Sequence, residues 1–229
     1  MPMKRILNEF VSLFFPDLCV VCRKPLVGGE EEICLTCLNR LPYIRNNTMQ
    51  NPAERLFAGS NLHSANTFLN YEKGGITQRL IYSLKYHNNK KLGYTLGKMS
   101  ARQLLLQENF EQPDLLIPVP LHKKRLRQRG YNQSEWIAKG MNDVFQKTID
   151  TTTLVRIKKT ETQTRKTLYE RLTSIETAFQ LTQEDHLVGK HILLVDDVMT
   201  TGATLNACIN QLTRCKGIKI SVFTLAVAQ

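Results

Sequence analysis

From residue 65 onward, short runs of apolar and β-branched residues alternate with stretches of helical periodicity, and this alternation constrains the fold more than any other feature. The β-rich runs fall at 67–71, 115–119, 153–157, 191–195 and 218–227, and the helical patterns at 75–85, 92–106, 133–146 and from 203 onward. Parallel neighbours need a crossover of a dozen or more residues, which a helix supplies. The alternation therefore predicts an α/β fold, a parallel sheet with helices on both faces, whose ligands sit at the carboxyl ends of the strands. The 229 residues, 42% of them hydrophobic, suffice for a sizeable core and argue against a disordered, collagen-like or disulfide mini-protein chain.

Ahead of this alternation lies a compact unit with four cysteines. Cys19-Val-Val-Cys22 and Cys34-Leu-Thr-Cys37 are two CxxC pairs eleven residues apart, with Gly28-Gly29 supplying a turn between them. Each pair presents two thiolates to one ion, and two pairs close a tetrahedral shell with no open position, so a structural zinc is expected. An iron–sulfur cluster is the minor alternative. Four small buried hydrophobes would not need this spacing. Cys208 and Cys215 stand apart, among Ala207, Ile209 and Leu212, and read as packing residues.

Residues 3–15 carry Ile6, Leu7, Phe10, Val11 and Phe14 at helical spacing and read as a short amphipathic helix docked on its own domain; a membrane surface or a partner is the alternative. Glu9 interrupts the run after Lys4-Arg5, and no small-residue cleavage site follows, which argues against a signal peptide. No stretch approaches the roughly 18 to 20 apolar residues that cross a bilayer. The expected location is the cytoplasm, where thiols are reduced and paired cysteines serve as metal ligands. The polar stretch 42–52 marks a boundary between a small zinc-ribbon-like domain with the N-terminal helix, 1–45, and a larger domain, 53–229.

The most informative stretch is His191-Ile-Leu-Leu-Val-Asp196-Asp197-Val-Met-Thr200-Thr201-Gly202-Ala203-Thr204-Leu205. A buried strand delivers two carboxylates, and a turn of small hydroxyl residues then opens a helix. Backbone N–H groups there, with the hydroxyls of Thr200, Thr201 and Thr204, can converge on a phosphate at the positive end of the helix dipole. The two acids can accept hydrogen bonds from vicinal sugar hydroxyls or hold Mg²⁺ bound to the ligand. Strand residues alternate faces, so the two aspartates should be engaged unequally. The plainer alternative is a helix cap at Thr201 with solvated aspartates, which accounts for one hydroxyl of the run. A P-loop is excluded, since 93–99 reads GYTLGKM, with the wrong spacing and no hydroxyl after Lys98.

The run 192–204 resembles the ribose-5-phosphate loop of type I phosphoribosyltransferases, whose ligand is 5-phosphoribosyl-1-diphosphate. That resemblance implies a phosphoribosyltransferase-like fold, ribose contacts for Asp196 and Asp197, and a 5-phosphate held by Thr200, Thr201, Gly202, Ala203 and Thr204, with Mg²⁺ accompanying the ligand. Leu84-Lys-Tyr-His87, Pro118-Val-Pro-Leu-His122, Arg125 and Arg129-Gly-Tyr-Asn-Gln133 look like the ComF (ComFC) competence family, which also carries an N-terminal cysteine zinc motif. By the same resemblance 118–122 faces the diphosphate, and Thr160 to Gln163, Arg171 and Ala178-Phe179 belong to a mobile loop over the site. Ser174 departs from the asparagine of that pattern. Lys158, Lys159, Arg165, Lys166 and Arg171 give the loop cations that could screen a diphosphate, or else form a solvated face.

Lys plus Arg number 31 against 20 for Asp plus Glu, a net charge of +11 that favours polyanionic partners. Five cations, Lys123, Lys124, Arg125, Arg127 and Arg129, crowd seven positions, and Tyr131 and Trp136 follow. Cations along a backbone track with rings for base stacking suit single-stranded DNA; a solubilising surface loop is the plainer alternative. For ComF proteins the resemblance implies natural transformation, the uptake of DNA as single strands. The expected function is thus a competence protein that binds phosphoribosyl diphosphate and single-stranded DNA. The rivals are a working phosphoribosyltransferase on an unknown acceptor, and a non-catalytic adaptor for a DNA-translocating ATPase. Membrane contact is at most peripheral in these readings, at the inner face through a partner.

Overall fold

The computed structural model describes residues 16–44, 52–57, 62–157 and 178–228. The helix expected at 3–15, the greater part of the boundary at 42–52, and the loop residues from Lys158 to Ser174 lie outside them. The described strands are β1 (Ser64–Tyr71), β2 (Leu115–Pro118), β3 (Thr148–Ile149), β4 (Leu154–Arg156), β5 (Phe179–Leu181), β6 (His191–Met199) and β7 (Lys219–Ala228). The helices are α1 (Leu35–Leu38), α2 (Pro52–Leu56), α3 (Ile76–Tyr86), α4 (Lys90–Leu105), α5 (Lys123–Arg129), α6 (Gln133–Phe145) and α7 (Ala203–Leu212).

Five strands form one parallel sheet in the order β1-β7-β6-β2-β3. Its central strands are buried on both faces, which is why they read as apolar runs rather than as alternating ones. Leu193, Val195, Phe223 and Leu225 join the core built with α3, α4 and α6, while Ile192, Leu194, Ile220 and Val222 join that of α2 and α7. A Cβ on Gly97 of α4 would collide with the Ile137 carbonyl, and one on Gly140 of α6 with the Tyr94 carbonyl, so glycine at these two positions lets the helix backbones meet.

The run at 153–157 departs from expectation. It yields β4, which leaves the parallel sheet and pairs antiparallel with β5. The cause is local: Asp150 Oδ1 accepts from the backbone N–H groups of Thr152 and Thr153 at 2.8 and 3.0 Å, turning the chain away after β3.

The cysteine unit docks on α3 and α4. Arg79 Nη1 donates to the Val21 carbonyl at 3.0 Å, Asn89 Nδ2 donates to Glu32 Oε2 at 2.6 Å, and Cys19, Val21 and Ile33 continue the core beneath these helices. Residues 42–44 then run antiparallel along the free edge of β1, with Ile44 N–H donating to the Phe68 carbonyl at 3.0 Å. No helix among the described residues is long and apolar enough to cross a membrane.

One topological feature locates the crevice. β2 and β6 are hydrogen-bonded neighbours, but β2 leads through α5 and α6 to β3 on one side, whereas β6 leads through α7 to β7 on the other. The two connections lie on opposite faces of the sheet, so the chain parts at the carboxyl ends of this pair. Open α/β sheets bind ligands at such a switch point.

Candidate functional site

β2 stays paired with β6 as far as Pro118 opposite Val195, and Val119 N–H makes a further bond to the Val195 carbonyl at 2.8 Å. Beyond that point β6 keeps β7 as a neighbour but not β2, so Asp196 and Asp197 stand at the open end of the crevice. Asp196 Oδ1 accepts from Ser134 Oγ at 3.0 Å and from Asp197 N–H at 2.8 Å. Asp197 is buried, and its Oδ2 lies 3.0 Å from Lys85 Nζ. Asp197 meets α3 through Lys85, and Asp196 meets the start of α6 through Ser134.

Burial and the adjacent Asp197 carboxylate push the Asp196 carboxyl up to about 7, with its two hydrogen bonds and Lys85 opposing the rise only in part. Arg156 and Cys208 also sense this carboxyl. A raised folded-state pKa means that the native protein holds this proton more tightly than the unfolded chain does. The contribution is therefore fully present below the unfolded value, near 3.9, and is lost as pH rises through about 7. Asp196→Asn removes this component, so its melting temperature relative to wild type should climb from pH 5 to pH 8 in calorimetry without ligand. A difference that stays constant across this range would refute the shift.

After Met199 the chain turns through Thr200 and Thr201, both exposed, into Gly202, which caps α7 with φ of +71°. Glycine suits this left-handed position, and the Phe57 ring lies 3.5 Å from where its Cβ would stand. The helix cap read at Thr201 thus falls to Gly202, which offers no side chain; Thr201 Oγ1 only reaches Ala203 N–H, at 3.5 Å. No acidic residue occupies the first turn of α7. Ala203 and Thr204 are half-buried there, so hydroxyls and backbone amides cluster one turn beyond the two carboxylates.

The basic run folds as a helix rather than as a loop. His122 Nδ1 accepts from Lys124 N–H at 3.1 Å at its start, and Gly130, with φ of +77°, ends it. Arg and Lys are good helix formers, and α5 buries none of its residues. Lys123, Lys124, Arg125 and Arg127 are exposed; Arg129 is half-buried and donates to Gln133 Oε1 at 2.7 Å. A cleft of about 620 Å³ is lined by Arg125, Arg127, Arg129, Tyr86 and Lys85. Lys85 thus belongs both to this cleft and to the acid pair.

The two rings expected to serve base stacking are otherwise engaged. Tyr131 is buried, and its hydroxyl donates to the Leu84 carbonyl. Trp136 lies under Lys139 Nζ at 4.7 Å and Lys90 Nζ at 5.7 Å. The aromatic residue in the basic cleft is Tyr86, which the charge pattern alone did not reveal. Lys85 and Ser134 were also missed as partners of the acids, since each reaches them from a distant helix. Tyr86 lies within the Leu84-Lys-Tyr-His87 motif and stands at i, i+4 from Tyr82, two signals that could have pointed to it.

The four cysteines form a second centre. Cys19, Cys22, Cys34 and Cys37 bring their sulfurs within 4.8 Å of one another, and none is in a disulfide. Cys22 Sγ and Cys34 Sγ are 3.7 Å apart. Four sulfurs about 2.3 Å from one ion form a tetrahedron with edges of about 3.8 Å, so the arrangement fits a zinc-sized metal. Burial pushes the Cys19 thiol up, but backbone hydrogen bonds from Cys22, Cys34 and Val21 outweigh it and bring it down to about 7, whereas burial and the neighbouring thiols push Cys37 up, so Cys19 offers a thiolate more readily than Cys37 does. Cys208 and Cys215 are both buried within the core beside α7.

Residues 134–228 match the family model of the phosphoribosyl transferase domain, and this stretch holds both acids and the threonine loop. The chain is 27% identical to the DNA utilization protein YhgH of Salmonella typhi over 229 residues, covering 93% of this chain and 98% of that protein. It is 31% identical to Competence protein F of Haemophilus influenzae over 154 residues, 65% of this chain and 67% of that one. With Competence protein ComFC of Bacillus subtilis it shares 37% identity over 112 residues, 48% of this chain and 43% of that protein. Similarity that spans the cysteine unit and the sheet together places the chain in the ComF/YhgH family of competence and DNA-utilization proteins, with a phosphoribosyltransferase-like domain matched over residues 134–228.

Proposed function

We propose that the crevice at the carboxyl ends of β2 and β6 binds 5-phosphoribosyl-1-diphosphate with Mg²⁺, and that the chain uses its basic surface to handle single-stranded DNA during uptake. The observation that carries this reading is the juxtaposition at one switch point of a carboxylate pair and a hydroxyl- and amide-rich turn. Asp196 and Asp197 accept from the ribose hydroxyls. Thr200, Thr201, Gly202, Ala203 and Thr204 hold the 5-phosphate, and 118–122 with the start of α5 lies toward the diphosphate. Mg²⁺ supplies charge neutralisation for the diphosphate when it is bound. The four cysteines hold a structural zinc, and the protein works in the cytoplasm.

The DNA half of the reading rests on α5, whose Lys123, Lys124, Arg125 and Arg127 are exposed with Arg129 at their end, and on the names of the related competence proteins. Each phosphate neutralised on a single strand contributes about −0.7 to the slope of log K against log salt. Replacing Lys123, Lys124 and Arg127 by alanine should therefore flatten that slope by roughly two units if all three touch phosphates. Anisotropy titrations with a labelled oligothymidylate at several salt concentrations read this directly. A slope and affinity left at wild-type values would reduce α5 to a solvated face.

A further inference from the structure

The carboxyl half of α3 carries an aromatic ladder that neither the sheet nor the acid pair uses. Tyr82 and Tyr86 are 55% and 62% exposed, and their ring centroids are 4.8 Å apart at a tilt of 43°. The His87 ring stands edge-on to Tyr82 at 5.3 Å. A buried aromatic ring would remove 150–250 Å² from water, so this helix forgoes substantial burial by holding two rings outward and side by side.

The ladder separates two clefts. On one side Tyr86 lines the cleft of about 620 Å³ with Lys85, Arg125, Arg127 and Arg129. On the other, Tyr82 and His87 line a cleft of about 550 Å³ with Arg23 and Arg79, against the cysteine unit. Among the described residues no Asp or Glu lines either cleft, while Arg23 and His87 also border a third cleft that holds Asp17, Glu30 and Glu32. Cations on both flanks of a ridge of rings complement a chain of phosphates bearing bases with flat faces.

We propose that Tyr82, Tyr86 and His87 are the base-stacking face of a single-strand track running from α5, over the end of α3, to Arg23 and Arg79 beside the cysteine unit. This rests on the reading that the protein binds single-stranded nucleic acid, and it adds that bases as well as phosphates are held. Residues four apart on a helix are displaced by about 6 Å along its axis, so the two tyrosines can serve neighbouring nucleotides. The segment Arg125 to Arg129 supplies phosphate contacts on one side and Arg23 supplies them on the other, which makes the cysteine unit one wall of the track.

Tyr82→Ala/Tyr86→Ala in the full chain, titrated with a labelled oligothymidylate at fixed salt, should bind on the order of tenfold more weakly or worse, because each stacked base contributes about 1–3 kcal/mol by alanine substitution. The salt slope should not change, since no charge is removed. Tyr82→Phe/Tyr86→Phe should keep wild-type affinity, which excludes a folding defect at these exposed positions. Wild type should also bind an abasic strand of the same length about as weakly as the alanine variant binds the base-bearing strand. If wild type binds oligothymidylate and the alanine variant binds it equally well, the stacking face is refuted while single-strand binding stands. If wild type binds no single strand at all, both fall together.

Discussion

Cys22→Ser should empty the four-cysteine centre and unfold most of 16–44, while the crevice beyond β6 keeps its ligand affinity. The unit is too small to stabilise itself by burial: apart from the thiols, its buried apolar side chains are Val21, Ile33, Leu41 and Ile44. In zinc-finger peptides the metal contributes about 10–16 kcal/mol of apparent binding free energy, which is folding free energy for such a unit. Wild-type protein purified without chelator should carry about one zinc per chain by elemental analysis, and the variant much less. Hydrogen exchange should show protection lost across 16–44. Wild-type protein devoid of zinc and iron would overturn the metal assignment.

The second large effect concerns the acids. Asp196→Asn with Asp197→Asn should abolish the rise in melting temperature that phosphoribosyl diphosphate with Mg²⁺ produces in wild type, because a ligand of the native state alone stabilises by mass action. Each ribose hydrogen bond left unmade in a formed pocket costs roughly 1–3 kcal/mol. The folded state itself should tolerate the change, since asparagine keeps the shape and the Asp196 carboxyl already carries a raised pKa. The substitution also releases Lys85 from Asp197 toward the basic cleft that it lines. Affinity for single-stranded DNA should accordingly hold steady or rise in this variant, and a fall would contradict the place given to Lys85. A ligand-induced shift of wild-type size in the double variant would move the ligand elsewhere.

What could be read from the sequence was what is local. Two CxxC turns fix their sulfurs through a few dihedrals each, so their spacing already implied the four-sulfur cluster. The stretch 191–205 is contiguous, and its strand, acids, turn and helix follow one another in space as they do in the chain. The buried strands β6 and β7 announced themselves as apolar runs. Features built from distant segments stayed hidden: Ser134 and Lys85 meet the acids only because α6 and α3 pack on one face of the sheet. Tyr131 looked available in a basic segment, yet the turn at Gly130 folds it back under the Leu84 carbonyl. β3 and β5 are too short to show a period, and the departure of β4 from the sheet depended on how Asp150 bonds to the threonines after it. The lysine and arginine run signalled charge correctly but not conformation, since a helix and a loop place the same residue types on a surface.

The most direct test of the phosphoribosyl site is a calorimetric titration of wild-type protein with phosphoribosyl diphosphate in the presence of Mg²⁺, repeated on Asp196→Asn/Asp197→Asn. The expected result is saturable binding at one site per chain for wild type, weakened at least tenfold in the variant. Absence of binding by wild type, or equal binding by both, would contradict a ribose-phosphate site at the carboxyl ends of β2 and β6.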